Sequence, residues 1–287
     1  MLITGTTRIV GIFGDPVAHS LSPRMHNAAL MTAGINAVYV PFHVTPARLP
    51  EAVQAIRTLG LVGVNLTIPH KAAACALVDE LDPAAAFAGA VNTIVNRHGR
   101  LVGYNTDGVG LLRALKDELG TTVAGKRVLI LGAGGAARAG LVALAQAGAA
   151  WIGVANRTLA RAEQLLAENR PRLPATEFAA FSLAAGELLK GVAGGVDLLV
   201  NSSALGLHGE GCDLPLAQLV RDGGAVYDMV YGEAATPLIK AAAAAGLTAA
   251  DGLGMLAGQG EAAFSLWFAV DPPQGVMRMA LAAGRDR

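Results

Sequence analysis

The sequence predicts an α/β protein of two domains, each built on a sheet covered by helices. Short apolar runs alternate with helical segments along nearly all of the 287 residues, which is the rhythm of βαβ units. A glycine-rich turn at 132–137 stands between one apolar run and an Ala-rich segment. A polar turn at Thr121-Thr122 separates two alternating series, so we expect one domain from each series.

The first series predicts the N-terminal α/β domain. Helices are expected after Ser22-Pro23, around residues 49–59, after Pro69 and at about 108–119. The strands expected between them are residues 9–13, 38–42, 63–67, 91–95 and 101–102.

The second series predicts a doubly wound unit, with helices between strands at 128–131, 151–155, 196–200 and 225–229. From Gly252 onward the tail turns helical. One apolar face is formed there by Leu256, Ala263, Phe264, Trp267 and Phe268, and such a face must pack on something.

Composition excludes several classes of protein. Basic and acidic residues both number 22, so no overall field draws the chain to nucleic acid or to an anionic membrane. The uncharged stretch 139–155 contains Gln146 and Gly148, which suit a buried helix, a turn and a strand better than a membrane span. The N-terminus lacks the features of a signal peptide. Cys75 and Cys212 are too isolated for a disulfide framework or a metal site, so we expect a reducing cytoplasm.

One amine and one carboxylate stand where apolar segments give way to helices. Lys71 ends the run Asn65-Leu-Thr67-Ile-Pro69-His-Lys71, and Asp107 belongs to Asn105-Thr106-Asp107-Gly108. Each has a plain alternative, because Lys71 could be a solvated charge and Asp107 an ordinary helix start. Asn65 and Thr67 alternate along one strand face and would add two neutral hydrogen-bonding groups. Together they predict a pocket wall for a hydroxylated ligand.

The glycine-rich turn predicts a dinucleotide site of the Rossmann type. The apolar run 128–131 leads directly into Gly132-Ala133-Gly134-Gly135-Ala136-Ala137. One glycine permits the tight turn, another lets the backbone approach a pyrophosphate, and Ala137 allows close packing of helix on strand. The helix N-terminus then faces the anion.

The next strand indicates which coenzyme binds. It ends in Asn156-Arg157-Thr158, with Arg161 one turn further, where an NAD-binding protein carries an acidic residue. Arg157 can instead pair with a 2′-phosphate, and such a bond contributes roughly 1.5–3 kcal/mol, or about a 10- to 150-fold preference. We therefore expect NADP. Arg161 either assists or is a solvent-facing helix residue.

With both halves considered, the chain resembles the shikimate dehydrogenase family of NADP-dependent enzymes. The motifs occur in family order and span nearly the whole chain. They are Ser20-Leu-Ser22-Pro23, Asn65 to Lys71, Gly89-Ala-Val-Asn92-Thr93, Asn105 to Gly108, Gly132 to Ala136, Asn156-Arg157-Thr158, Asp228-Met229-Val-Tyr231 and Gly252-Leu-Gly254-Met-Leu256 with Gln259.

The resemblance implies a role for each motif. Ser20 and Ser22 would hold a substrate carboxylate with Tyr231, while Asn65, Thr67, Asn92, Asp107 and Gln259 would bind ring hydroxyls. Met229 and Gly252 would join the glycine loop at the coenzyme. Ser22 as an N-cap, Asn92 in a turn and Gln259 on a solvated helix face are the alternatives. The substrate domain would comprise residues 1–106 completed by 252–287, and the NADP-binding domain 107–251.

Three positions depart from the family pattern. Ser203 stands where Thr is usual, Leu207 where Met is usual, and His70 where an aromatic residue is common. The departures at Ser203 and Leu207 leave open how the nicotinamide is positioned. For His70, as for His19 and His26, we expect packing or a surface position rather than proton relay, and none has metal-ligand spacing.

The reaction implied is reversible reduction of 3-dehydroshikimate to shikimate in chorismate and aromatic amino-acid biosynthesis. Lys71 would act as acid or base, and Asp107 would orient it. The rivals are a dehydrogenase that also takes quinate, with NAD, and a catalytically silent NADP-binding regulator. A small-molecule substrate is the partner expected, and monomer and homodimer both stay open.

Overall fold

A computed structural model describes residues 2–203, 205, 213–232 and 234–283. The chain divides into two compact units. One comprises Met1–Gly110 with Leu256–Arg287, and the other comprises Leu111–Met255.

The first unit is built on a mixed six-stranded sheet. Its strands are β1 (Arg8–Gly14), β2 (Ala37–His43), β3 (Gly63–Leu66), β4 (Glu80–Leu81), β5 (Thr93–Arg97) and β6 (Arg100–Tyr104), in the order β2-β1-β3-β5-β6-β4. The first three are parallel, as the βαβ rhythm predicts, whereas β5 runs antiparallel to both β3 and β6.

The helices of this unit are α1 (Ser22–Thr32), α2 (Leu49–Thr58), α3 (Pro83–Ala88), the first residues of α4 (Asp107–Leu119), most of α10 (Leu253–Phe268) and α11 (Val276–Ala282). In α2, the apolar residues Leu49, Val53 and Ile56 recur every three or four positions and are all buried, which is the pattern of a helix with one face on a core. Both unit boundaries fall inside a helix, α4 or α10.

Two features of the first unit differ from the sequence prediction. The helix expected directly after Pro69 is only a 3-10 turn, Ala73–Ala76. β5 and β6 form a hairpin whose two loop residues, His98 and Gly99, have φ values of 54° and 91°. Such turns need positive φ, which Gly adopts freely. A hairpin is antiparallel, so it interrupts the βαβ rhythm that the apolar runs alone suggested.

The second unit is built on a parallel six-stranded sheet. Its strands are β7 (Arg127–Leu131), β8 (Trp151–Asn156), β9 (Glu177–Ser182), β10 (Val196–Asn201), β11 (Val220–Asp228) and β12 (Thr248–Asp251), in the order β12-β11-β10-β7-β8-β9. This is the doubly wound Rossmann order, in which the order of strand addition reverses between β7 and β10. The predicted fold class is therefore confirmed. The sequence missed β9 and β12, which are the two edge strands.

The remaining helices belong to the second unit: α5 (Gly135–Gln146), α6 (Leu159–Asn169), α7 (Ala185–Gly191), α8 (Leu216–Leu219) and α9 (Pro237–Ala244). The uncharged stretch 139–155 is the end of α5, a turn at Gly148 and most of β8. Among the helices described, none combines the length and the apolar character needed to cross a bilayer.

The apolar face of the tail packs within the first unit. Ala263, Phe264 and Trp267 are buried, and Trp267 Nε1 donates to the carbonyl of Ile94 in β5 at 3.0 Å. A Cβ atom on Gly63 of β3 would collide with that indole nitrogen. The absence of a side chain at Gly63 thus lets α10 lie directly on the strands that precede Lys71.

Candidate active site and coenzyme site

Lys71 and Asp107 are in direct contact. Lys71 Nζ donates to Asp107 Oδ2 at 2.7 Å, and the two side chains are 32% and 10% exposed. The Lys71 backbone is also fixed, because its carbonyl accepts from the Val91 amide at 2.8 Å. The amine therefore keeps access to solvent while its carboxylate partner is almost enclosed.

Asp107 is the first residue of α4, where the helix dipole favours a negative charge. Its amide donates to Asn105 Oδ1 at 3.1 Å, and its second oxygen, Oδ1, accepts from Asn92 Nδ2 at 2.8 Å. Each carboxylate oxygen thus has a side-chain donor. The carboxylate is held in one orientation before any ligand arrives.

Asn92 is the centre of a buried network. Its Oδ1 accepts from the Thr106 amide at 2.8 Å, while its Nδ2 lies 2.9 Å from Thr106 Oγ1 and 3.4 Å from Gln259 Oε1. Asn92 and Gln259 are 1% and 9% exposed. The structure therefore brings Asn92, Asp107 and Gln259 together, and the amide of Asn92 is committed to protein partners.

Asn65 is oriented from both sides. Its Nδ2 donates to the Asn92 carbonyl at 3.2 Å and to Thr93 Oγ1 at 3.0 Å, which uses both amide hydrogens. Its Oδ1 accepts from the Tyr39 hydroxyl at 2.8 Å. Burial raises the pKa of Tyr39, so this hydroxyl stays protonated and donates. The group that Asn65 can still offer is the second lone pair of Oδ1.

Thr67 follows the end of β3 and is partly buried. Its amide donates to the Phe13 carbonyl at 3.0 Å. Its methyl group lies against Gly14, where a Cβ atom would have to come within 2.5 Å of Thr67 Cγ2. With the methyl group packed on Gly14, the hydroxyl is the part of Thr67 that a ligand can use.

Ser20 and Ser22 lie at the start of α1. The Ser22 amide lies 3.3 Å from Ser20 Oγ, Ser22 is buried and Ser20 is partly exposed. The N-cap residue is Leu21, which makes no side-chain cap bond. Ser22 is therefore the first helical residue rather than a plain N-cap, and two hydroxyls accompany the positive end of the helix dipole.

The three histidines have different surroundings. His70 is buried, with Nε2 2.6 Å from the Val44 carbonyl, in agreement with the packing role expected. His19 is exposed. His26 is fully buried, and its ring stacks on Tyr39 with centroids 4.3 Å apart. No group of three or more His, Cys, Asp or Glu side chains in the described ranges is arranged to hold a metal ion.

The glycine loop has the geometry that a pyrophosphate needs. Gly132 has a φ of 105°, and its amide donates to the Ala155 carbonyl at 2.8 Å. Gly134 is extended and precedes α5, and a Cβ atom on Gly134 or Gly135 would meet nothing within 4 Å. Ala133 is partly buried, Ala136 is exposed, and Ala137 is fully buried against the sheet. Space is thus open beside the Cα atoms at the start of α5.

A cavity of about 380 Å³ opens beside this loop. It is lined by Gly132, Asn156, Arg157, Thr158, Arg161, Leu183, Ser203 and Leu205. Both arginines are exposed, and neither has an ion-pair partner in the part of the chain that the structure describes. Asn156 Nδ2 donates to the Thr158 carbonyl at 2.8 Å and so shapes the turn. Two guanidinium groups at a cavity next to the glycine loop fit a phosphorylated dinucleotide.

Met229, Tyr231 and Gly252 lie against one another in the second unit. A Cβ atom on Gly252 would collide with the Met229 carbonyl and come within 3.1 Å of Tyr231 Cδ1. Burial raises the pKa of Tyr231. None of the three lines the cavity beside the glycine loop. Tyr231 belongs to the second unit, whereas the other residues assigned to the substrate belong to the first.

Sequence reasoning missed several contributors. Tyr39, Thr93 and Thr106 orient the predicted site residues, and Leu183 and Leu205 line the cavity beside the glycine loop. Tyr39 could have been noticed, because an aromatic hydroxyl in a predicted strand needs a partner. Leu207 and Cys212, both considered from sequence, lie outside the described residues.

Comparison with known proteins gives consistent matches along the chain. Residues 12–94 match the family model described as the shikimate dehydrogenase substrate binding domain, residues 114–185 that of shikimate / quinate 5-dehydrogenase, and residues 252–282 that of the shikimate 5'-dehydrogenase C-terminal domain. A protein of Geobacter sulfurreducens named shikimate dehydrogenase (NADP(+)) is 49% identical over 285 residues, which cover 99% of each chain.

Solved structures of the same family are similar to this chain over nearly its whole length. Shikimate 5-dehydrogenase from Thermus thermophilus in complex with NADP(H) and shikimate is 38% identical, with a TM-score of 0.84 over 96% of this chain and 99% of that one. The enzyme from Listeria monocytogenes in complex with shikimate and NAD is 36% identical, with a TM-score of 0.90 over 97% and 98% of the two chains.

Proposed function

The chain belongs to the shikimate dehydrogenase family, whose NADP-dependent reduction of 3-dehydroshikimate to shikimate it carries out, and we propose that Lys71 and Asp107 form the acid–base pair of that reaction. The observation that carries the proposal is the 2.7 Å contact between Lys71 Nζ and Asp107 Oδ2. Two titratable groups this close, one of them enclosed, are the arrangement expected of a proton-transfer site.

Bound NADPH supplies the hydride that reaches the carbonyl carbon at C3. Lys71 gives a proton from its ammonium group to the carbonyl oxygen, where negative charge grows in the transition state. In the reverse direction the neutral Lys71 amine removes the proton of the C3 hydroxyl while hydride leaves for NADP+. The 32% exposure of Lys71 lets the amine exchange its proton with water between turnovers.

Asp107 orients the amine. Its Oδ1 is fixed by Asn92, so Oδ2 holds Lys71 Nζ in one position. We propose that Asp107 additionally accepts a hydrogen bond from a ring hydroxyl.

The substrate-binding assignment follows from which polar atoms remain free. Asn65 presents only an acceptor lone pair, so it would receive a hydrogen bond from a ring hydroxyl. Thr67 and Gln259 would make the other hydroxyl contacts, with Asn92 fixing Gln259. Ser20 and Ser22, at the N-terminus of α1, would hold the carboxylate, and Tyr231 would add a hydroxyl.

The coenzyme would be held by the glycine loop and the arginines of the cavity. Residues 132–136 and the first amides of α5 suit the pyrophosphate. Arg157 and Arg161 suit the 2′-phosphate, with Asn156 and Thr158 shaping their turn. Met229 and Gly252 would lie at the nicotinamide end.

The experiment that tests this function is an absorbance assay of reduced nicotinamide. Purified protein would be given shikimate or quinate, each with NADP+ or NAD+. Shikimate with NADP+ should be oxidised fastest. Faster oxidation of quinate, or faster reaction with NAD+, would replace the assignment by the broader dehydrogenase, and no oxidation of either substrate would favour a silent regulator.

We propose that the protein is located in the cytoplasm, because its cysteine count is low, and that it is a monomer or a homodimer.

A further inference from the structure

Asp228 is the last residue of β11 and its side chain is fully buried. Neither the acid–base pair nor the phosphate-binding groups make use of it. A buried carboxylate is costly unless several donors satisfy it. The identity of those donors therefore indicates what the residue is for.

Three donors converge on this carboxylate. Oδ1 accepts from Asn201 Nδ2 at 2.8 Å and from the Val230 amide at 3.0 Å. Oδ2 accepts from Thr236 Oγ1 at 2.6 Å. Thr236 is also the N-cap of α9, where Oγ1 accepts from the Ile239 amide. Asp228 thus joins the end of β10, the segment after β11 and the start of α9.

Asn201 carries the connection to the coenzyme cavity. It is fully buried at the end of β10, beside Asp228 in the sheet register. Its Oδ1 accepts from Ser203 Oγ at 2.6 Å and from the Ser203 amide at 3.1 Å, and its Nδ2 also donates to the Leu205 carbonyl at 3.2 Å. Ser203 and Leu205 both line the cavity.

Asp228 decides which way the Asn201 amide faces. Because the carboxylate oxygen can only accept, Nδ2 must point to Asp228 and Oδ1 must point to Ser203. Reversing the amide would set two acceptors against each other at Asp228 and two donors against each other at the Ser203 amide. Ser203 in turn lies against the glycine loop, since a Cβ atom on Gly132 would be 3.1 Å from the Ser203 amide nitrogen.

The second connection runs through Val230. The Val230 amide is held by Asp228, and the Val230 carbonyl accepts from the Gly252 amide at 3.3 Å. Val230 stands between Met229 and Tyr231, the two residues packed on Gly252. One carboxylate therefore fixes both Asn201, which holds Ser203 and Leu205, and the 229–231 segment.

We propose that Asp228 is a positioning residue for the coenzyme: through Asn201 it holds Ser203 and Leu205 in the cavity wall, and through Val230 it holds the segment from Met229 to Tyr231. The inference rests on the proposed function in one respect, that the cavity binds NADP. Burial raises the pKa of Asp228, against the effect of its three donors.

The test compares NADPH binding, followed by its fluorescence, with thermal unfolding in matched variants. Asp228→Ala should weaken NADPH binding by about 10- to 100-fold, the order of effect seen when a residue that orients the ligands of a bound metal is removed. Asp228→Asn keeps an acceptor toward Asn201 and Val230 and should stay within about threefold of the parent, because Thr236 Oγ1 can accept from an amide instead of donating.

The control is Thr176→Val in the same unit. The buried Thr176 hydroxyl donates to the Ala149 carbonyl at 2.9 Å and lies directly before β9, at the other end of the parallel strands from Asp228. This variant should lose stability and leave NADPH affinity unchanged. The proposal would be overturned by an unchanged NADPH affinity in Asp228→Ala. It would also be overturned if Thr176→Val, destabilised to the same extent, lost as much NADPH affinity as Asp228→Ala.

If Asp228→Ala does not fold, Asn201→Ala decides the question, because it removes the bridge to Ser203 and Leu205 while leaving Asp228 two of its donors. It should weaken NADPH binding by a similar factor, and an unchanged affinity would count against the proposal. Shikimate oxidation by the parent protein is measured separately. A parent that neither binds NADPH nor oxidises shikimate refutes the proposed function, whereas an active parent with unaffected variants refutes only the role of Asp228.

Discussion

Lys71 Nζ and Asp107 Oδ2 meet at 2.7 Å, although one residue follows β3 and the other begins α4. The contact is possible because β5 lies between β3 and β6 and runs antiparallel to both. β3 and β6 therefore run in the same direction, and the segments that follow them emerge at the same end of the strands. Asn92, directly before β5, fills the space between them.

Replacing the amine should slow chemistry rather than binding. We expect Lys71→Ala to lower kcat by about 10²- to 10⁴-fold, the usual effect of removing a general acid, with only a modest change in KM for shikimate. Steady-state kinetics in both directions would measure this. Lys116→Ala, at an exposed position of α4, is the control and should be silent. Near-normal turnover of Lys71→Ala would refute the assignment.

The pair should also act as a unit. Because Asp107 works by holding Lys71, removing both should cost little more than removing Lys71 alone. A double-mutant cycle with Lys71→Ala and Asp107→Ala, read in kcat/KM, would give the coupling. Strictly additive losses would mean that Asp107 acts independently, through the substrate alone.

The arginines of the cavity should set coenzyme preference. Arg157→Ala is expected to raise KM for NADP+ by about 10- to 150-fold, because a charge-assisted bond to the 2′-phosphate is lost, while KM for NAD+ stays the same. Arg161→Ala should act in the same direction. Arg48→Ala, in a surface pair with Glu51 of the first unit, is the control. Equal losses with both coenzymes would argue against a phosphate contact.

His26 should make the first unit sensitive to acid. Burial lowers its pKa from 6.5 to about 3, so between these values the unfolded chain binds a proton that the folded chain does not. Stability therefore falls as pH drops below 6.5, by up to about 1.4 kcal/mol per pH unit, until the folded pKa is reached.

His26→Phe should remove this contribution, and it also removes two buried ring nitrogens that have no hydrogen-bond partner within the described residues. Urea unfolding at several pH values would be followed by the fluorescence of Trp267, whose ring lies 5.3 Å from His26, in a Trp151→Phe background. His19→Phe, at an exposed position, should retain the parent's slope. Parallel pH profiles for the parent and His26→Phe would contradict the prediction.

Gly252 should tolerate no side chain. Gly252→Ala would drive a methyl group into the Met229 carbonyl, so the backbone there must shift and NADPH should bind more weakly. Gly186→Ala, in α7 with open space around its Cα, is the matched control and should leave binding unchanged or add slight stability. Calorimetric titration with NADPH would compare the two. Unaltered affinity in Gly252→Ala would separate this glycine from the coenzyme site.

The sequence predicts most strands, the fold class and the proximity of Lys71 and Asp107, because apolar periodicity and end-of-strand position are local signals. It could not predict the β5–β6 hairpin from apolar runs, since strand direction depends on the turn at His98-Gly99. It also assigned no role to Tyr39 or to Asp228. Tyr39 acts through Asn65, and Asp228 through Asn201, and neither partnership has a fixed spacing along the chain.

The indole of Trp267 on the Ile94 carbonyl has a consequence for biosynthesis. A ribosome delivers residues 1–110 long before it delivers α10, so the unit begun first cannot be completed until nearly all of the polypeptide has emerged. The second unit contains no segment from outside 111–255, so it has every residue it needs while the first unit still lacks α10. In a nascent chain, the second unit can therefore reach its native state ahead of the unit that carries Lys71.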